Sequence, residues 1–190
     1  RAVYQFYCRN HPRDSEAAYP VWQGLPQNGS MSRAELADRV QTCTGVGLDP
    51  AQRSPEQSSR LRNILSVIDI SEDQLVSHLA WATTLFQDLI WQRLDGRNPF
   101  SNIGTIYQGS DNDAALNAGV ERFAADPLAI QALAYDADLT GQIVVPTLTL
   151  HARYDPTAFI WHEAAYARSV QERGNADLLT QVVTTESVHS

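Results

Sequence analysis

Residues 141–155 have the sequence Gly-Gln-Ile-Val-Val-Pro-Thr-Leu-Thr-Leu-His-Ala-Arg-Tyr-Asp, and this stretch decides the fold class of the chain. Its apolar, β-branched run predicts a strand that ends at His151. Asp155 follows that strand at once, and the pattern after it predicts an amphipathic helix over 156–173. A strand followed by a helix of this length predicts a crossover to a parallel strand.

A second β-prone run over residues 178–185 supplies that strand and leads to His189. Parallel neighbouring strands end at the same edge of a sheet, where functional groups of open α/β sheets collect. We therefore expect Asp155 and His189 to project from adjacent loops. A carboxylate in this position accepts the imidazole Nδ1–H and leaves the other ring nitrogen to act as a general base.

Residues 143–190 resemble the C-terminal, triad-bearing segment of the α/β-hydrolase superfamily. The run 145–151 followed by Asp155 is similar to that family's penultimate strand and acid turn, and Glu186-Ser-Val-His189 stands where the family places its histidine loop. The spacing, 189 − 155 = 34 positions, also suits the family. The resemblance implies a serine hydrolase (esterase or peptidase) acting on a small-molecule ester or related acyl substrate, with Asp155 as triad acid, His189 as general base and no cofactor or metal.

The chain departs from the family at the nucleophile. The usual glycines beside the strand-end and catalytic histidines are replaced by Ala152 and Val188. Neither Ser30 nor Ser110, the serines that follow a glycine, has a second glycine two positions on, as a nucleophile elbow requires. The resemblance therefore places the serine in a missing N-terminal half, of the same precursor or of another chain, and this chain alone is expected to be inactive. Dehalogenase-type chemistry stays open.

Residues 9–138 have mostly helical and loop patterns, which predict a helical cap. Capping-box patterns begin three of the helices, at Ser32, Ser54 and Ser71. The β-prone run within residues 1–8 is a candidate core strand, and residues 139–190 form the C-terminal segment of the hydrolase core. The expected fold is α/β: the C-terminal part of an α/β-hydrolase sheet that carries a large helical insertion and is incomplete on its own.

Each candidate residue also has a structural interpretation. Asp155 can cap the following helix, His189 can be a simple terminal residue, and His151 is expected to be a strand-end hydrogen-bonding residue. Trp81 and Trp91 fit a helix core, or alternatively the apolar wall of a substrate pocket. A second hypothesis follows from the helical content: a non-catalytic binding or interaction module whose α/β tail docks on a partner.

Composition excludes some classes of partner. The net charge of −8 argues against a nucleic-acid surface, and no apolar run approaches the roughly 18 residues that span a bilayer. Cys8 and Cys43 are either disulfide-bonded or free and buried; a disulfide favours a secreted or periplasmic protein. They lack the spacing and further ligands of a zinc site. The start at Arg1 without Met is expected for a piece of a longer polypeptide.

Overall fold

The computed structural model describes residues 1–9, 17–155 and 157–185, with side chains at all of these except 136 and 137. The chain divides into two compact units, Arg1–Leu133 and Ala134–Ser190. Helices make up the regular structure over the described residues from 1 to 137. They are α1 (Ala2–Cys8), α2 (Arg33–Thr44), α3 (Pro55–Ile68), α4 (Leu75–Asp88), α5 (Asp113–Gly119) and α6 (Pro127–Ala137).

The first unit is built around a core that α1, α2, α3 and α4 share. The buried side chains of this core are Val3, Tyr4, Leu36, Val40, Val46, Leu61, Ile64, Leu75 and Leu79. The main chain after α4 continues as a π-helical turn, Leu89–Arg93, and this turn begins a second, smaller cluster. Its buried members are Ile90, Leu94 and Ala129. The apolar positions of α3 and α4 that repeat at helical spacing are therefore core positions.

Local signals fix the ends of α2 and α3. The Ser32 hydroxyl accepts the backbone N–H of Glu35 at 3.1 Å and begins α2. Gly45 ends that helix with φ of +68°, a left-handed conformation that glycine adopts without steric cost. A full capping box joins Ser54 and Gln57 at the start of α3. Both predicted helix starts are confirmed, because each depends on residues adjacent in the chain.

The prediction of a core strand within residues 1–8 is wrong, since Ala2–Cys8 is the helix α1. Aromatic and β-branched side chains favour a strand only weakly, and tertiary contacts override that preference. Val3 and Tyr4 are buried in the core, while Tyr7 and Cys8, four positions further on, pack against it. This spacing is helical, so packing on α2 and α3 decides the conformation.

A disulfide joins the end of α1 to α2. Cys8 and Cys43 are bonded, with their Cα atoms 5.8 Å apart and 35 positions between them in sequence. The pair that the sequence left open between a disulfide and two free thiols is therefore a disulfide in this structure. Such bonds persist in oxidising compartments and constrain the unfolded chain.

The second unit contains a parallel pair of strands, β1 (Thr147–Ala152) and β2 (Leu179–Thr184). The register runs from Thr147 opposite Leu179 to Ala152 opposite Thr184. Helix α7 (Trp161–Glu172) lies between the two strands in sequence. The predicted strand–helix–strand crossover is confirmed, with β1 beginning three residues later than the apolar run at Val144 indicated.

Candidate functional site

The carboxyl end of β1 places Asp155 in a buried turn. Asp155 is only 7% exposed, and its backbone N–H donates to the Ala152 carbonyl at 3.1 Å. The side-chain Oδ1 atom accepts hydrogen bonds from two backbone N–H groups, that of Thr157 at 2.7 Å and that of Ala158 at 2.8 Å. The carboxylate thus organises the loop that leads to α7. It does not cap that helix, whose N-cap is Ile160 without a side-chain hydrogen bond.

The carboxyl ends of the two strands finish side by side. Ala152 is paired with Thr184 as the last pair of the register, and the backbone N–H of Arg153 donates to the Thr184 carbonyl at 3.0 Å. Strand β2 therefore ends at Thr184, opposite a residue of β1 that lies three positions before Asp155. His189, the predicted base, lies outside the described residues.

A second polar side chain, His151, bonds the loop that Asp155 organises. The Nε2 atom of His151 is 2.7 Å from the Ala158 carbonyl oxygen. A carbonyl oxygen only accepts hydrogen bonds, so Nε2 carries the proton and donates. The Nδ1 atom is 3.7 Å from Oε1 of Glu163 on α7. Both side chains are largely buried, at 13% exposure for His151 and 19% for Glu163.

Glu163 is itself held by both strands. Its Oε2 atom accepts the Thr149 hydroxyl at 2.5 Å and the Gln181 side-chain amide at 2.7 Å. The same Gln181 amide also donates to the Glu163 backbone carbonyl at 2.9 Å. A polar layer formed by Thr149, His151, Glu163 and Gln181 therefore lies between the sheet and α7. The Glu163 carboxylate therefore accepts hydrogen bonds, which a buried charge requires.

Sequence reasoning missed Glu163 and Gln181 as neighbours of the site. A signal was present in the alternation of β1, where Thr149 and His151 share one face while Leu148 and Leu150 share the other. A polar face on a strand predicts polar partners opposite it. Glu163 as that partner depends on how α7 packs, which the strand pattern does not contain.

The opposite face of the sheet is apolar and exposed. Leu148 is 68% exposed, Leu150 67% and Val182 42%. Side chains of this kind are ordinarily covered in a parallel sheet, which packs helices on both faces. Helix α7 accompanies the polar face alone.

The two tryptophans suggested for a substrate pocket lie in the first unit. Trp91 donates its indole N–H to the Leu25 carbonyl at 3.0 Å and packs on the cluster around Ile90. Trp81 is 43% exposed, and its ring lies 5.3 Å from that of His78. Neither lines two cavities of this unit of about 460 and 510 Å³, nor a third of about 320 Å³ that has aromatic walls. The aromatic walls of the cavity of about 320 Å³ are Trp22, Phe86, Phe100, Tyr107 and Phe123. A substrate-binding role for Trp81 and Trp91 stays a prediction.

Metal-binding clusters and membrane-spanning helices are both absent from residues 1–9, 17–155 and 157–185. No group of three or more His, Cys, Asp or Glu side chains there could hold a metal ion. In this part of the chain, helices also fall short of the length and apolar content needed to cross a membrane.

Comparison with family models, with curated proteins and with solved structures found no match to this chain. The site has a buried carboxylate just past the carboxyl edge of a parallel strand pair, and a histidine that bonds the same loop through the Ala158 carbonyl.

Proposed function

We propose that this chain is the portion of a serine α/β-hydrolase that supplies the triad acid, Asp155, and the general base, His189. The substrate class is a carboxylic ester or a related acyl compound. The observation that carries the proposal is the position of Asp155: a buried carboxylate just past β1, at the edge where the paired strand β2 also ends. The chain runs on from that edge to His189.

The chemistry follows from the roles of the two side chains. A serine outside this chain attacks the acyl carbonyl, and His189 takes the hydroxyl proton through one ring nitrogen. Asp155 accepts the N–H of the other nitrogen and stabilises the imidazolium that forms. His189 then returns the proton to the leaving group, and an acyl-enzyme remains. Water, activated by the same base, hydrolyses that ester and releases the acid.

The fixed geometry of Asp155 supports this role. Backbone N–H groups of Thr157 and Ala158 hold Oδ1, so the orientation of the carboxylate is set by the loop. The proposal assigns the imidazole N–H to Oδ2. A triad acid needs such preorganisation, because it acts by keeping the base in one tautomer and one orientation.

The exposed apolar face of the sheet supports the proposal that these strands belong to a larger core. Leu148, Leu150 and Val182 would be covered if further strands and helices extended this sheet. In the proposed hydrolase that additional layer belongs to the half that carries the nucleophile and the oxyanion donors.

A fluorophosphonate probe tests the proposal on the complete polypeptide that contains this chain. We expect covalent labelling of one serine, and His189→Ala should remove labelling and nearly all turnover. His162→Ala is the matched control, because His162 is an exposed histidine on α7, and it should keep both. An unlabelled wild-type protein would overturn the proposal and favour the non-catalytic binding module.

A further inference from the structure

We propose that His151 is a positioning residue for the triad acid and acts on Asp155 through the backbone of Ala158. The inference rests on the proposed function, since it assigns His151 a task in the same site. His151 lies on β1 four residues before Asp155, and its ring nitrogens face the Ala158 carbonyl and the Glu163 carboxylate. It is therefore distinct from His189, the proposed base.

Ala158 is the link between the two side chains. Its N–H donates to Oδ1 of Asp155 at 2.8 Å, and its carbonyl accepts from Nε2 of His151 at 2.7 Å. The two bonds lie on successive peptide groups around one Cα atom. Residue 158 is thus held by strand β1 on one side and by the acid on the other, and the loop cannot shift without breaking one of the bonds.

The other nitrogen of the His151 imidazole lies next to the polar layer. Its Nδ1 atom faces the Glu163 carboxylate at 3.7 Å. Glu163 receives one donor from β1, Thr149, and one from β2, Gln181. The two strands therefore fix the Glu163 carboxylate next to the His151 ring. Outer groups that hold a functional side chain through the backbone, as His151 holds Asp155 through Ala158, keep a site within productive geometry.

The test separates positioning from simple structural support. His151→Leu places an apolar side chain of similar bulk on the strand and removes the Nε2–H donor. His151→Gln restores an N–H donor in reach of the Ala158 carbonyl. His162→Leu removes an exposed histidine from α7 and serves as the control. The measurements are amide hydrogen exchange on the full chain and, in the complete protein, kcat and KM for an ester substrate.

We expect the amides of Thr157 and Ala158 to exchange about fivefold faster, or more, in His151→Leu, the effect of losing one hydrogen bond. Amides of β1 and β2 should keep wild-type protection, His151→Gln should restore the loop, and His162→Leu should match the wild type. In the complete protein kcat should fall with KM unchanged, because the loop orients the acid without binding substrate.

Two results would overturn the positioning role: wild-type protection of Thr157 and Ala158 in His151→Leu, or equal loosening of the strand amides. Absence of serine labelling in the wild-type protein would instead overturn the proposed hydrolase function. Amide exchange decides the positioning of Asp155 independently of that labelling, so the two failures are distinguishable.

Discussion

The side-chain amide of Gln181 donates to the Glu163 carboxylate at 2.7 Å, which connects strand β2 directly to helix α7. The Thr149 hydroxyl reaches the same Oε2 atom from β1. Glu163 therefore receives donors from both strands of the parallel pair. Its burial is tolerable only with these donors, because an ionised carboxylate without partners is costly to remove from water.

Replacing Gln181 should destabilise the second unit. We expect Gln181→Leu to lower the free energy of unfolding by about 1–2 kcal/mol, since the charged Glu163 loses one of its donors. Thr180→Val, one position away on the exposed side of β2, should change it by less than about 0.5 kcal/mol. Urea unfolding of both variants, followed by amide exchange in β1 and β2, checks the prediction. Equal effects of the two substitutions would contradict it.

The two interpretations of Asp155 predict different turnover for the same substitution. Asp155→Asn keeps an Oδ1 acceptor for Thr157 and Ala158 but removes the charge, whereas Asp155→Ala removes both. A triad acid predicts that the complete protein carrying Asp155→Asn folds normally and loses about 10⁴-fold in kcat. A loop cap alone predicts near-normal turnover in that variant. Asp177→Asn, an exposed acid of the same unit, is the control and should retain wild-type kcat.

The parts of the fold that were predicted correctly depend on neighbouring residues. Ser54 and Gln57 satisfy each other's backbone within one helical turn, so a reader of the sequence finds the start of α3 without knowing its surroundings. The parallel pairing of β1 and β2 follows similarly from the length of the helical segment between them. In both cases the decisive information is local.

The parts that were missed depend on contacts between distant residues. Tyr4 belongs to a helix because the core of the first unit buries it, not because its neighbours favour one. Likewise, His151 lies near Glu163 only because α7 packs on the sheet. Asp155 was predicted because its position directly after a strand is visible in the sequence. Strand alternation indicated a polar face; it did not indicate which residue would cover it.

The disulfide between α1 and α2 should be a large contributor to the stability of the first unit. The disulfide joins residues 35 positions apart and so removes chain entropy from the unfolded state. This should raise the free energy of unfolding by about 3–4 kcal/mol. We expect Cys43→Ser and Cys8→Ser to lose this amount each, and the double variant to lose no more than either alone. Thermal unfolding with and without a reductant checks this, because reductant should affect the wild type only. Two additive single losses would contradict the bond.

The expectation that a disulfide favours a secreted or periplasmic protein can be tested on the same pair. We expect the wild-type protein recovered from its natural compartment to carry no free thiol that reacts with maleimide before reduction. After reduction and unfolding both cysteines should react. Prior labelling of Cys8 or Cys43 in the native protein would argue for a reducing environment.

Asp111 gives the first unit a pH-dependent stabilisation. The Arg62 guanidinium, 2.6 Å away, and the Asn63 amide at 3.0 Å hold the pKa of the Asp111 carboxyl below its usual value. The unfolded chain therefore binds this proton more readily than the folded one. The stabilisation is complete above the ordinary aspartate pKa of about 3.9, and it is lost as the pH falls through the lower folded pKa.

We expect the wild type to be more stable than Asp111→Asn at pH 6, with the difference shrinking below about pH 4 as the carboxylate is protonated. Arg62→Gln should weaken the same pH dependence, because it removes the main cause of the lowered pKa. Urea unfolding between pH 3 and pH 6 provides the measurement. A difference between wild type and Asp111→Asn that grows towards acid pH would have the wrong sign for a carboxyl group held ionised by Arg62.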